Sequence, residues 1–561
     1  MPPPQALGLH SPASHDATTS SPQERFLGYL AEESFLSNSC SSEPVDVEVT
    51  ERAATEGESN MVPANNTLAL PPDSLISAFI DAYFVNLFPL VPVVDREDVA
   101  GDNQSLLLVQ CMCLLGSHFR RPRLPSIPSA DAFYTRVKDL LNINFEKDNL
   151  ATLKALCLIA CRSAEPPTKV SLDSPWHWLG VATRYAFNMG LHREMTYHGR
   201  QATGISRRIW WHLFNQDKLQ SLCYGRPPAI RLHEVDVKTP TLNDFSQAHP
   251  DNEIFLQRVK LCIVLGKVSD AQYGRQQQSL LEDATNIGEY LKQWIEELPD
   301  DLKLYRRDRN DERAPYRRAV SELHIMYFTG IILFYRLVEN RRLGLTPLKI
   351  SVVAASCIVR LLMEIYYRNE VALLLPINNW YATVASVPLI SAQAKLPEEV
   401  DLRRDELKML RLVLRDMVTT SPSTVLILSN IDRIERCVLG SSAPVDLLPH
   451  RSLGGVNGQT GSSNLDNLPW AQFTPVDPLA LFPFPSGLSS SMHLIHPTSV
   501  ARESQNYPLG PGGVSVADEM TDEQGQEEQY FALNFDFSNV QLDEFPLAFT
   551  DADIPSFGGF L

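Results

Sequence analysis

The chain lacks most of the short patterns that announce chemistry. It has no C-x-x-C pair, no H-E-x-x-H, no G-x-S-x-G, no Walker loop and no G-x-G-x-x-G. The usual anchors of zinc hydrolases, serine hydrolases and nucleotide-binding enzymes are therefore missing. No apolar run approaches the roughly 18 residues of a membrane span. The opening MPPPQALGLHSP lacks the charged and then apolar layout of a secretory signal. The nine cysteines fall mostly in apolar runs, as reduced core cysteines do. A soluble, reducing, intracellular setting is expected. Lysine and arginine are absent from residues 503–561, which carry twelve acids. Residues 1–70 hold ten acids against Arg25 and Arg52. These two ends account for the net charge of −18, and the centre is nearly neutral. Nonspecific binding to a phosphate backbone is not favoured by such a balance.

What is present is a long helical middle. Residues 1–70 are rich in Ser, Pro and Glu and read as disordered. From 71 to 440, apolar residues recur at steps of three and four, and strand-like alternation is nowhere sustained. The clearest helical runs are 73–88, 105–119, 129–141, 149–163, 174–194, 206–223, 255–271, 279–298, 321–339, 351–368 and 406–418. In SPWHWLGVATRYAFNMGLHRE, Ser174 is placed as the cap, Pro175 as the first helical residue and Gly190 as the left-handed stop. The fold expected is all-α, with disordered N- and C-terminal segments. No repeat period supports a solenoid. Residues 441–514 turn to Gly, Ser, Pro and Asn and read as a linker.

The densest stretch is RRIWWHLFNQDKLQSLCYGRPPAI, residues 207–230. On a helix, Trp210, Leu213, Phe214, Asp217 and Ser221 fall on one core-facing stripe. A carboxylate in such a stripe must be paired. Asp217 is therefore expected to be buried against one of Arg184, Arg207, Arg208 or Arg226. It has no partner acid and no ligand spacing to suggest catalysis. Gly225 permits positive φ, and Pro227 and Pro228 forbid further helix. His177, His192 and His212 read as core or capping residues.

This stretch resembles the most recognisable segment of the fungal transcription factors of the binuclear-zinc-cluster type. It lies in their regulatory middle homology domain, the fungal-specific transcription factor domain. The resembling positions are Arg207, Arg208, Trp210, Trp211, Asp217, Gly225, Arg226, Pro227 and Pro228. The similarity reaches upstream into 174–194 and downstream, weakly, into 321–339. It implies an all-α regulatory domain over 71–440, nuclear location and control of transcription, and no enzyme activity. The family also implies zinc held by six cysteines near the N-terminus, beside a basic segment that reads the major groove. Here one cysteine precedes residue 111, so that spacing is absent and no cofactor is expected. Cys111/Cys113 and Cys157/Cys161 read as core residues, not thiolate ligands. DNA contact is expected to be indirect, or made through a zinc cluster missing from this chain.

Residues 515–561 alternate acids with aromatics. Phe531, Phe535, Phe537, Phe545, Phe549, Phe557 and Phe560 stand among Asp536, Asp543, Glu544, Asp551 and Asp553. A uniformly negative chain resists collapse and leaves its rings available to a partner, the composition of an acidic activation segment. The expected partners are a coactivator or a DNA-binding protein, with no membrane; a small-molecule effector and a dimer stay open. The arginine-rich 305–318 reads as a solvated loop, with nuclear import as its other reading. The whole reads as an activator of a fungal metabolic or secondary-metabolite gene set. The alternative is a helical scaffold or adaptor that kept the fold without DNA binding.

Overall fold

Small polar residues open the helices where the sequence places them. Ser129 Oγ accepts from Ala132 N at 3.2 Å, Asp148 Oδ1 from Leu150 N at 2.9 Å, and Ser174 Oγ from His177 N at 3.2 Å. Each satisfies one of the N–H groups that a helix start leaves unpaired. At the other end of the helix begun by Ser174, Gly190 has φ +73°. Leu191 N closes back on Ala186 O at 3.0 Å, the Schellman closure its sequence suggests.

The computed structural model describes residues 67–101, 104–118, 128–163, 169–199, 201–273, 277–306, 312–339, 346–440 and 476–495. Among them are fourteen α-helices. The first five are α1 (Asp73–Asn86), α2 (Leu106–His118), α3 (Ala130–Asn142), α4 (Asn149–Ile159) and α5 (Pro175–Asn188). The long α6 (Thr203–Tyr224) and α7 (Asn252–Tyr273) follow, then α8 (Gln277–Glu296), α9 (Arg318–Glu339) and α10 (Thr346–Tyr367). The last are α11 (Ile377–Lys395), α12 (Val400–Met417), α13 (Thr424–Gly440) and the single turn α14 (Pro478–Leu481). The only strands among the described residues, Tyr305–Arg306 and Glu312–Arg313, form an antiparallel ladder of two pairs.

Successive helices pack mostly on their neighbours, and α6 and α7 join the early helices to the later ones. One apolar cluster runs through all of them, from Ile76 to Met492. Where α1 crosses α2, Gly116 supplies the room. A Cβ there would lie 2.4 Å from Phe79 Cβ and 2.6 Å from its Cα. The helix α11 contains Pro388, which cannot donate to the turn before it. Thr383 and Ser386 bond backbone carbonyls in the turns upstream, at 2.8 and 2.7 Å.

Composition reads 441–514 as a linker, but residues 476–495 pack into the core. Leu481, Phe482, Leu488 and Met492 are buried. The Phe482 ring stacks on Phe328 with centroids 5.9 Å apart. Tyr327 Oη donates to Leu481 O at 2.9 Å, and Arg403 Nη1 to Ser491 Oγ at 2.5 Å. Pro478, Pro483 and Pro485 hold this strap out of helical periodicity, which hides its apolar residues from pattern reading. Of the arginine-rich 305–318, Arg313 pairs with Glu364 at 2.6 Å, and Arg318 donates to Asn86 O at 2.6 Å. Arg317 pairs with Asp251. These arginines fasten elements together. Residues 1–66, the remainder of 441–514 and the acidic-aromatic 515–561 lie outside the described residues.

Candidate functional site

The 207–230 stretch forms most of α6 and the turn after it. Sequence places one stripe of this helix in the core, whereas α6 is buried on nearly every side from Ile205 to Cys223. Its polar residues are therefore interior groups, and each must find a partner.

Asp217 is buried, as expected, but not against an arginine. Its Oδ1 accepts from Ala229 N at 2.8 Å and its Oδ2 from Ile230 N at 3.0 Å. The counter-charge is Lys218, whose Nζ lies 3.4 Å from Oδ2 and also donates to Ile230 O. Desolvation pushes the Asp217 carboxyl above its ordinary value, and Lys218 and the two N–H groups oppose that shift. Arg184 is exposed, and the other three candidate arginines are occupied elsewhere. Arg207 bridges Glu194 at 2.7 Å and Asp244 at 2.8 Å, with its guanidinium over the Tyr197 ring. Arg208, fully buried, donates to Pro92 O at 2.9 Å and to Asp95 at 2.5 Å. Arg226 lies over Trp176 and Tyr224, 5.1 and 5.0 Å from the ring centres.

Gly225 ends the helix with φ +64° and ψ +29°, the left-handed stop that its residue type suggests. Ser221 then holds the turn, its Oγ bonded to Arg226 O. Pro227 and Pro228 carry the chain out of the helix, and Asp217 receives the next two N–H groups. The lone aspartate and the Gly-Arg-Pro-Pro turn are thus one device: a buried carboxylate stapling the backbone that leaves its own helix. The two tryptophans are packing. Trp210 meets Phe187 edge-on at 5.3 Å, and Trp211 donates its indole N–H to Lys238 O at 2.8 Å.

This arrangement holds no reacting pair. Both Asp217 oxygens accept backbone N–H groups, which is a structural use of the carboxylate. Burial lowers His212 to about 3, with Arg258 adding to the effect, and it also lowers His192. Burial raises the thiols of Cys113 and Cys161 to about 12, and those of Cys111 and Cys157 upward as well. These are protonated core thiols. Among the described residues, no group of three or more His, Cys, Asp or Glu could hold a metal ion, and no helix is long and apolar enough to cross a membrane. Sequence reasoning missed Lys218, Asp95, Glu194 and Asp244 as partners; the last three lie in or beside short 3-10 turns that no periodicity ties to α6. The seven phenylalanines of the acidic segment fall outside the described residues.

Residues 80–306 match the model of the fungal specific transcription factor domain. The chain is similar to cutinase transcription factor 1 alpha of Fusarium vanettenii, with 30% identity over 48% of this chain and 32% of that protein. It is also similar to the acetamidase regulatory proteins of Aspergillus fumigatus, at 28% identity over 48% of this chain and 36% of the relative, and of Emericella nidulans, at 29% over 48% and 35%. The chain spans about a third of the length of these relatives. No solved structure matches.

Proposed function

We propose, from the match of residues 80–306 to the fungal specific transcription factor domain, that this chain is a nuclear regulator of transcription. The observation that carries the reading is the coincidence of the family match with the stapled α6 signature. The residues of the resemblance are the ones that hold the helical domain together, so the module works as a folded control unit and not as a catalyst. We assign activation to 515–561, whose composition interleaves acids with phenylalanines, the pattern of an acidic segment that docks on an apolar groove of a coactivator. The spacing that would hold zinc is absent from this sequence, so its contact with promoters runs through a DNA-binding partner or through a zinc cluster outside this chain. A fungal metabolic gene set is the target class, by analogy with relatives named for cutinase and acetamidase.

The test is a reporter assay with the full chain fused to an unrelated DNA-binding domain. Activation is expected, with loss when Phe531, Phe535, Phe537 and Phe545 become alanine. Promoter occupancy and nuclear accumulation of the unfused protein complete it. A chain that stays out of the nucleus and drives no reporter is a scaffold instead.

A further inference from the structure

The strap forms one wall of a cavity that also touches a histidine with one ring nitrogen unused. His324 of α9 is fully buried, with Trp294 and Phe484 against its ring at 6.4 and 6.1 Å between centres. Its Nδ1 lies 3.0 Å from Val320 O. A carbonyl oxygen only accepts, so Nδ1 carries the proton and Nε2 keeps a bare lone pair. Nε2 is buried and has no hydrogen-bond partner among the described residues, a costly state for an acceptor. Burial lowers the ring to about 4, so it is neutral at pH 7.

His324 lines a cavity of about 30 Å³ between α8, the strand Tyr305–Arg306 and the strap. That volume holds about two waters, or one polar group of about two heavy atoms. Glu296, at the end of α8, and Lys303 are its charged residues, and Tyr305, Pro483 and Phe484 supply aromatic and apolar wall. The two charges are not equivalent. Lys303 Nζ is held by Asp300 at 2.6 Å, whereas Glu296 forms no ion pair among the described residues. A bare imidazole lone pair and a free carboxylate both call for a donor, and both disfavour an anion. One imidazole and one carboxylate fall short of a metal site. Aromatic walls favour an organic cation.

We propose that this cavity binds the ammonium head of a small primary alkylammonium ion, which donates one N–H to His324 Nε2 and another to Glu296. Pro483 and Phe484 belong to the strap at 476–495, so the bound ion touches α8, α9 and the strap together and fastens the strap to the helices. Residues 515–561 follow the strap in the chain, which gives the ion a route to the activation segment. That last step rests on the regulatory reading above. Binding and the seating of the strap do not, so the two can fail separately.

The test is thermal unfolding of the full-length protein titrated with methylammonium chloride, at ionic strength held constant with sodium chloride. Tetramethylammonium chloride is the control that has the charge but no N–H. The best ligands of two heavy atoms reach a Kd of about 6 mM, so the titration runs to about 60 mM. A saturable rise in Tm of about 1–2 °C is expected at tenfold excess over Kd, with slower proteolysis within 476–495. His324→Phe keeps the ring packing and removes the lone pair, and both effects should vanish. Glu296→Gln alters an exposed residue and should weaken binding about tenfold. An absent or non-saturating rise, an equal rise with tetramethylammonium, unchanged affinity in either variant, or a strap cut equally fast with and without methylammonium overturns the proposal.

Discussion

Replacing Asp217 tests the central physical claim, that the aspartate is a backbone staple. In Asp217→Ala, the N–H groups of Ala229 and Ile230 lose their acceptors, and Lys218 loses the carboxylate 3.4 Å away while staying buried. A hydrogen bond to a charged group contributes about 1.5–3 kcal/mol, and breaking a buried ion pair from one side costs about 3–5 kcal/mol. These terms overlap, because the same carboxylate serves all three donors. A loss of about 4 kcal/mol follows, a large share of the roughly 5–15 kcal/mol that holds a domain folded. Asp217→Asn retains one acceptor oxygen but turns a donor toward the second N–H, and should lose about half as much. Urea denaturation followed by tryptophan fluorescence measures both, since Trp210 and Trp211 sit two turns up the same helix. Limited proteolysis should also find new cleavage near 225–230 in the alanine variant. An Asp217→Ala protein within 0.5 kcal/mol of wild type, with the loop uncut, would refute the reasoning.

Other outcomes follow from the same packing. Gly116→Ala drives a methyl group to within 2.6 Å of the Phe79 backbone, so α1 must move and stability should fall by about 2 kcal/mol. Gly180→Ala meets nothing within 4 Å on α5 and should gain about 0.5–1 kcal/mol; matched urea midpoints for the two variants would contradict both. Arg208→Lys keeps a charge but cannot reach Pro92 O and Asp95 with two arms, and should lower Tm nearly as far as Arg208→Met; full rescue by lysine would show that geometry is unimportant there. His118, His212 and His324 are held at about 4, 3 and 4 chiefly by burial, below the ordinary 6.5. The unfolded chain then takes up protons that the folded one refuses. Their stabilising contribution is full above about pH 6.5 and falls as pH drops toward 4, by about 1.4 kcal/mol per pH unit for each histidine. A urea midpoint unchanged between pH 7 and pH 5 would sink that assignment.

Most helices were legible because their ends carry chemistry that acts locally. Ser174, Pro175 and Gly190 do their work within a few residues of themselves. The all-α class followed from periodicity alone. Besides the single turn α14, two helices escaped for different reasons. In α11, Thr383, Val384, Val387 and Pro388 disfavour helix, and burial on several faces overrides them. In α13 the stripe Ile427, Ile431, Ile434 was visible but follows a Ser-Pro-Ser break and borders the Gly/Ser-rich stretch. At the site, the burial of Asp217 was readable from its place among large apolar residues. Its partners were not, because the choice between lysine, arginine and backbone depends on where the chain goes after Pro228.

The strap at 476–495 changes what counts as a piece of this protein. A fragment ended near 440, where the last long helix stops, would strip Phe482 from the Phe328 ring and leave the Tyr327 hydroxyl and the Arg403 charge without Leu481 and Ser491. Such a truncation would present a raw apolar flank to water and invite self-association, and its behaviour would say little about the intact molecule. A minimal soluble version has to run through Ile495.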